Sequence, residues 1–253
     1  MSSKQQVESA AIVLDCRDHG ESDLIVTFFC QNHGRLTGIA KGAKRSKKRF
    51  VNKLEIFSSL RILHTIPPNN RLAFIAEADL LDGYLALREN IGCYTTASVI
   101  RELILLATKE VEGDEELYPL LVYAYDSLNT NHPPLQILIL FLIRFYAIIG
   151  YSPQLESCLQ CGQEIQTHKS YHFQTGSGGI HCSNCATKGT TPSIALSRGT
   201  LKSLAVALNQ PLERLHRLQL STASQQEALS FLHSYGRQLF QREIVSWAFL
   251  EKA

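Results

Sequence analysis

The sequence predicts an α+β protein, in which a small five-stranded barrel precedes an α-helical domain that carries an inserted cysteine-rich module. Three observations predict this arrangement. Short segments rich in β-branched and aromatic residues fill residues 6–80, apolar residues recur at helical spacing after them, and two Cys-x-x-Cys pairs lie in a stretch poor in apolar residues. The 253 residues suffice for one large domain or for two to three small ones.

The predicted strands cover residues 7–16, 24–30, 35–40, 54–64 and 72–78, and turn-forming residues separate them at 18–20, 32–34 and 67–70. Five short strands within this length suit a small barrel such as an OB-fold. An SH3-like barrel has the same number of strands, and strand spacing does not distinguish the two.

Helices are predicted at residues 95–107, 117–128, 135–149, 196–208, 212–218 and 223–250. Pro134 is well placed to start the third helix and Gly150 to stop it, whereas Ser221 is a candidate cap for the last. We therefore expect a barrel at 1–80, a helical domain at 81–156 and 191–253, and a metal module at 157–190.

The longest apolar stretch, residues 135–149, is interrupted by Arg144 and is shorter than the roughly 18–20 residues that a membrane span needs. The first apolar run, residues 10–14, is too short for a secretory signal. We therefore expect a cytoplasmic protein that has no membrane partner. Its seven cysteines are an odd number, and a reducing compartment disfavours a disulfide framework.

Four of the cysteines form two tight pairs, Cys158-x-x-Cys161-Gly162 and Cys182-x-x-Cys185. Two such turns place four thiolates around one ion, which is the ligand set of a tetrahedral zinc site. Because four protein ligands leave no open position, the site is expected to be structural. A module that has lost its metal, or a redox pair, would have the same cysteines.

The near-neutral formal charge of +2 hides strong local asymmetry. Between residues 34 and 53 there are eight basic residues and no acidic one: Arg35, Lys41, Lys44, Arg45, Lys47, Lys48, Arg49 and Lys53. Such a loop on a barrel is typical of nucleic-acid binding through backbone phosphates, although a charge run can also be merely solvated. Phe50 could stack on a base or anchor the loop in the barrel.

The sequence contains no phosphate-binding loop, no His-Glu-x-x-His and no nucleophile elbow, so it predicts a protein that is not an enzyme. Two alternatives stay open. Asp15, Asp18, Glu21 and Asp23 could hold magnesium in a metal-dependent nuclease. Alternatively, the chain could be a zinc-containing adaptor that binds only proteins.

The chain resembles the bacterial RecO family of DNA-repair recombination mediators over nearly its full length. The resemblance lies in Ala-Ile-Val-Leu at 11–14, Arg-Asp-His-Gly-Glu-Ser-Asp at 17–23, His-Gly-Arg-Leu at 33–36, Lys-Gly-Ala-Lys-Arg at 41–45, Ile-Ile-Gly-Tyr-Ser-Pro at 148–153, the first cysteine pair, Gly-Arg-Gln-Leu at 236–239 and Arg-Glu at 242–243. Their order and spacing are more specific than any single motif.

The resemblance implies an N-terminal OB-fold, a helical domain and a zinc module. It also implies that the protein binds single- and double-stranded DNA and anneals complementary strands in the nucleoid. The implied partners are RecR and the C-terminal tail of single-stranded DNA-binding protein, with which the family loads RecA onto DNA.

The resemblance implies a binding role for two groups of residues in this sequence. The loop at residues 41–53 matches its DNA-binding loop region, and Arg144 matches a basic position in its helical domain. We hypothesise that Arg144 binds the acidic, aromatic-ended tail of single-stranded DNA-binding protein, because a guanidinium beside an apolar groove suits a carboxylate next to an apolar side chain. An ion pair between Arg144 and a nearby acid is the alternative.

Overall fold

We analysed a computed structural model of the chain, which describes residues 6–65, 72–109, 115–165, 170–186 and 193–250. The predicted turn at 67–70 lies outside the described residues, as does the end of the cysteine-rich module at 187–190.

Five strands form the N-terminal barrel: β1 (Gln6–His19), β2 (Asp23–Cys30), β3 (Gly34–Ala40), β4 (Ser59–Thr65) and β5 (Ala73–Asp82). The barrel is closed in the order β1-β2-β3-β5-β4. Only the β3–β5 pairing is parallel, and the other four pairings are antiparallel. This five-stranded closed topology is that of an OB-fold, so the predicted fold class is confirmed.

Alternating apolar residues fill the barrel because successive side chains of a strand point to opposite faces. Along β3, every second residue from Gly34 to Ala40 is buried. At Gly38 an added Cβ would lie 2.5 Å from Cδ1 of Ile75, so the close approach of β3 and β5 requires glycine there.

The fourth strand begins later than predicted, at Ser59 rather than residue 54. Phe57 has a φ of 77°, which is incompatible with a strand. Its buried ring packs edge-on against Tyr94 and Tyr125, at centroid distances of 5.3 and 5.5 Å. The apolar residues that suggested a strand at 54–58 instead anchor a turn, with Leu54 in the barrel core and Ile56 and Phe57 against the helical domain.

The described helices are α1 (Leu85–Glu89), α2 (Ile91–Ala107), α3 (Leu117–Asn129), α4 (Pro134–Ile148), α5 (Ser183–Ala186), α6 (Arg198–Asn209), α7 (Leu212–Leu215), α8 (Thr222–Phe240) and α9 (Trp247–Leu250). Helix α4 starts with proline as predicted and is the centre of the domain, since ten of its fifteen residues are buried. Among the described residues, no helix combines the length and the apolar character needed to cross a membrane.

The single helix predicted at 223–250 is wrong, because the chain breaks between α8 and α9. Gln241 adopts a left-handed conformation, with φ 50° and ψ 35°, and ends α8. The Glu102 carboxylate of α2 then accepts hydrogen bonds from the backbone N–H groups of Val245 and Ser246, at 2.9 and 2.7 Å. A long-range contact therefore holds the chain where helical spacing predicted continuity.

A second sheet, absent from the predictions, consists of β6 (Tyr171–Gln174), β7 (Gly179–Cys182) and β8 (Ser193–Leu196) in the order β7-β6-β8. Phe173 on β6 packs against Phe231 of α8 at a centroid distance of 4.2 Å. One continuous apolar core connects this sheet, the helices and the outer face of the barrel at Ile12, Leu14 and Phe29.

Candidate nucleic-acid interface and metal centre

The basic loop, which we define as residues 41–53, leaves the end of β3 and lies on the outside of the barrel. Phe50 fixes it, because its side chain is only 3% exposed and belongs to the barrel core. Phe50 is therefore an anchor, and its buried ring is not available to stack on a base. A short 3-10 turn at Ala43–Arg45 shapes the first half of the loop.

Two basic residues of the loop seal the gap between β3 and β5. The parallel ladder between these strands contains only the pairs Gly38–Ala73 and Ile39–Phe74. Beyond it, Arg49 Nη1 donates to the Ala76 carbonyl at 3.3 Å. Lys53 Nζ donates to the Ala78 carbonyl at 2.5 Å and lies 3.4 Å from Asp79. Arg49 and Lys53 therefore satisfy backbone carbonyls that the short ladder leaves unpaired.

Two further cations dock on the acidic hairpin, which we define as residues 18–23 between β1 and β2. Lys44 Nζ lies 2.9 Å from Asp18 Oδ2, and Arg45 Nη2 lies 3.7 Å from Glu21 Oε2.

Asp23 fastens the start of the loop to this hairpin. Its Oδ1 accepts a hydrogen bond from the backbone N–H of Gly42 at 2.8 Å and another from the Ser22 hydroxyl. These two bonds, the Gly42 one foremost, lower the pKa of Asp23. The carboxylate is thus held in its ionised form beside the loop.

The remaining loop cations, Lys41, Lys47 and Lys48, are exposed. Within the described ranges none of them forms an ion pair. They are the loop residues whose charges remain available to an incoming anion.

The other two predicted binding arginines lie away from the loop and hold helix ends. Arg35 Nη1 donates to the Leu105 carbonyl of α2 at 2.9 Å and so connects the barrel to the helical domain. Arg144 Nη1 donates to the carbonyls of Leu208 and Gln210 at the end of α6. These contacts match the preference for cations at helix C-termini, and within the described ranges Arg144 forms no ion pair with an acidic residue.

The four predicted cysteine ligands converge. The sulfurs of Cys158, Cys161, Cys182 and Cys185 all lie within 4.8 Å of one another. Cys161 and Cys182 are 3.9 Å apart, close to the separation of about 3.8 Å between sulfurs on a tetrahedral zinc ion. Gly162, with φ 69°, turns the chain back so that its N–H reaches the Cys158 carbonyl at 2.8 Å.

The surroundings of Cys158 favour a thiolate, the form that ligates metal. Burial raises the pKa of its thiol, but backbone N–H groups, led by that of Cys182, outweigh burial and lower the pKa to about 6. The four-thiol donor set thus fits a soft or borderline cation such as zinc. His181, which precedes Cys182 in the chain, lies 3.3 Å from the Ser177 hydroxyl and is not one of the four converging ligands.

The four acidic side chains considered for a nuclease do not converge into a cluster of potential metal ligands. Asp18, Glu21 and Asp23 bind the basic loop, and Asp15 lies 4.0 Å from Arg101. In the described part of the chain, the cysteine quartet is the only cluster of three or more potential ligands.

The fold and sites define an OB-fold protein that presents a cationic loop and carries, in its helical part, four cysteine thiols positioned to hold a metal ion. Comparison with known families identifies it further. A model described as "Recombination protein O N terminal" matches residues 1–84, and one described as "Recombination protein O C terminal" matches residues 88–248. The chain belongs to the RecO family of DNA-repair proteins.

Individual relatives extend over the same length. A DNA repair protein RecO from Syntrophus aciditrophicus is 28% identical over 253 residues, which is 100% of this chain and 98% of the relative. The DNA repair protein RecO of Syntrophobacter fumaroxidans is 30% identical over 243 residues, or 96% of each chain. That of Desulfatibacillum aliphaticivorans is 30% identical over 249 residues, covering 97% of this chain and 96% of the relative.

Sequence reasoning missed the contacts that divide the loop cations into groups. The partners of Lys44 and Lys53 lie 26 residues away from each of them in the chain, at Asp18 and Asp79. No local pattern signals such pairs. The alternation of acidic and basic segments was the only available indication, and it does not specify the pairing.

Proposed function

We propose that this protein is a recombination mediator that binds single- and double-stranded DNA through its basic loop and anneals complementary strands. With RecR, it helps load RecA onto DNA covered by single-stranded DNA-binding protein. The observation that carries the DNA-binding proposal is the trio Lys41, Lys47 and Lys48, three exposed cations on a loop that Phe50 anchors, none of which forms an ion pair among the described residues.

The mechanism is electrostatic. Ammonium groups on the anchored loop contact phosphates and release counterions from the strand. When two complementary strands bind, the same cations reduce the repulsion between their phosphates, and base pairing can proceed. The ring of Phe50 is buried and does not reach the bases. The loop therefore contacts the phosphate backbone and does not select particular bases.

Annealing of complementary oligonucleotides tests this function. We expect Lys41→Glu/Lys47→Glu/Lys48→Glu to slow annealing at least tenfold, both on free strands and on strands covered by single-stranded DNA-binding protein. A control that reverses Lys202, Arg214 and Arg217, which are exposed in the helical domain, should retain most activity on free strands. Equal losses in both variants would contradict the assignment to the loop. Magnesium-dependent cleavage of the same strands would favour the nuclease alternative.

The tail of single-stranded DNA-binding protein is proposed to bind near Arg144. A cavity of about 430 Å³, lined by Val122, Tyr123 and Leu212 among others, could take its aromatic end. Leu212 lies two residues after Gln210, whose carbonyl accepts a hydrogen bond from Arg144 at 3.2 Å. Arg144→Ala should weaken binding of a tail peptide more than Arg144→Lys does, whereas unchanged affinity in both would contradict this site.

The cysteine quartet is proposed to bind one structural zinc ion. Zinc would cross-link the two Cys-x-x-Cys turns and hold β7 against the first of them. Metal analysis should find one zinc per chain, lost in Cys158→Ser/Cys182→Ser and retained in Cys16→Ser/Cys93→Ser, whose cysteines lie outside the quartet.

A further inference from the structure

The carboxylates of the acidic hairpin have no place in the function proposed so far, yet they lie directly on the basic loop. Lys44 makes three contacts with this hairpin: its Nζ lies 2.9 Å from Asp18 and 3.1 Å from the Gly20 carbonyl, and its backbone N–H reaches the Ser22 carbonyl at 3.0 Å. Glu21 lies opposite Arg45 at 3.7 Å.

These two carboxylates are highly accessible, since the side chains of Asp18 and Glu21 are 80% and 94% exposed. Burial therefore does not force either pair to form. A carboxylate and a phosphate diester offer a lysine or an arginine the same kind of anionic oxygen. DNA that reached Lys44 or Arg45 would have to replace one acceptor with the other.

We propose that Asp18 and Glu21 are built-in competitors of DNA phosphates for Lys44 and Arg45, and that they set an upper limit on the affinity of the basic loop. This inference rests on the proposed function, because it assumes that the loop binds DNA. Lys41, Lys47 and Lys48 are exposed, whereas a phosphate that binds Lys44 or Arg45 has to replace the carboxylate that each of them already faces. A limited affinity suits an annealing protein, since a strand must be released after it has paired.

The test uses Asp18→Asn/Glu21→Gln, which removes two negative charges with little change in side-chain size. We expect a fluorescent single-stranded oligonucleotide to bind about five- to tenfold more tightly at 150 mM salt. The slope of log affinity against log salt should steepen by about 1.4 units, since each of the two freed cations adds a phosphate contact that contributes about 0.7. The matched control is Glu8→Gln/Glu243→Gln, which also removes two charges from exposed ion pairs, with Arg61 and Arg237.

The inference is supported if the affinity gain of the hairpin variant is at least three times that of the control variant. Equal affinity gains overturn it, because they would reflect net charge alone. A cycle with Lys44→Gln locates the effect: the gain from Asp18→Asn should largely disappear when Lys44 is already replaced. A gain that persists undiminished in that background also overturns the inference.

The failure of the proposed function is distinguishable from the failure of this inference. If the wild-type chain does not bind the oligonucleotide, or if Lys41→Ala/Lys47→Ala/Lys48→Ala binds as well as wild type, the function fails. If both of those results are as proposed and the hairpin variant gains nothing over its control, only the competition model fails. The melting temperature of each variant checks that its fold is retained.

Discussion

The cations of the basic loop fall into three groups according to the contacts of their side chains. Arg49 and Lys53 donate to carbonyls of β5, Lys44 and Arg45 face the acidic hairpin, and the other three are exposed. The sequence predicts all seven charges but treats them as equal, because their partners are distant in the chain. Stability and DNA affinity should therefore respond differently to changes at different positions.

Replacing the residues that brace β5 should cost stability. Arg49→Gln/Lys53→Gln removes charged donors from the Ala76 and Ala78 carbonyls, and we expect the unfolding free energy to fall by about 2–3 kcal/mol. Lys47→Gln/Lys48→Gln, with the same charge change, should alter it by less than about 0.5 kcal/mol. Urea denaturation measures both variants, and equal losses would contradict the division of roles.

The buried imidazole of His64 should make stability depend on pH. Its Nε2 lies 3.0 Å from the Ser9 hydroxyl, and its Nδ1 lies 3.1 Å from the Thr65 carbonyl, which can only accept. Burial lowers the pKa of His64 in the folded state; nearby His33 adds to this effect, and the bond to the Thr65 carbonyl offsets only part of it. The neutral form is therefore favoured by folding, and its stabilising effect is complete above the unfolded pKa of about 6.5.

This contribution is lost as the pH falls from about 6.5 toward the lower pKa of the folded state. Unfolding free energies measured in urea at pH 7.5 and 5.5 should show a larger decrease for wild type than for His64→Gln. A decrease of the same size in the variant would assign the pH dependence to other groups.

At the scale of elements, the sequence predicts structure well where periodicity is strong and poorly where a single contact interrupts it. Strands β1 to β3 and helices α2 to α4 lie within a few residues of their predicted bounds. The turn at Phe57 and the break at Gln241 were missed because each depends on a left-handed residue held by tertiary contacts. The strands β6 to β8 have four residues each, too few to show a period.

The left-handed Gln241 offers a test of this break. For a residue with a side chain this conformation costs about 1–2 kcal/mol, and glycine avoids that cost at an entropic penalty of about 0.5–1 kcal/mol. Gln241→Gly should therefore raise the unfolding free energy by about 0.5–1 kcal/mol. Gln238→Gly, inside α8, should lower it by about 1 kcal/mol. Destabilisation by both changes would argue against a helix end at residue 241.

At the scale of the whole molecule, the outer face of the barrel, the helices and the small sheet share one core, and the barrel interior forms a second one. Ile12 and Leu14 of the barrel, the α4 residues and Phe173 of the sheet all belong to it. The sequence predicted the cysteine quartet correctly, because Cys-x-x-Cys spacing is a local pattern. It gave no indication that the module would be packed against α8.

Removal of the metal should therefore lower the stability of the whole chain and not only that of the cysteine region. If zinc binds only the folded chain, a free concentration a thousandfold above Kd adds about 4 kcal/mol to the unfolding free energy. A chelator should lower the melting temperature of wild type, whereas Cys161→Ser/Cys185→Ser should already melt low and respond little. A wild-type melting temperature that is unaffected by exhaustive chelation would contradict a stabilising metal.

The salt dependence of DNA affinity tests the central claim, that DNA phosphates bind the exposed cations of the basic loop. On double-stranded DNA each phosphate contact contributes about 0.9 to the slope of log affinity against log salt. Lys41→Ala/Lys47→Ala/Lys48→Ala should therefore reduce the slope by two to three units, and Lys202→Ala/Arg214→Ala/Arg217→Ala should reduce it by less than one. Equal slopes for wild type and the loop variant would contradict the account.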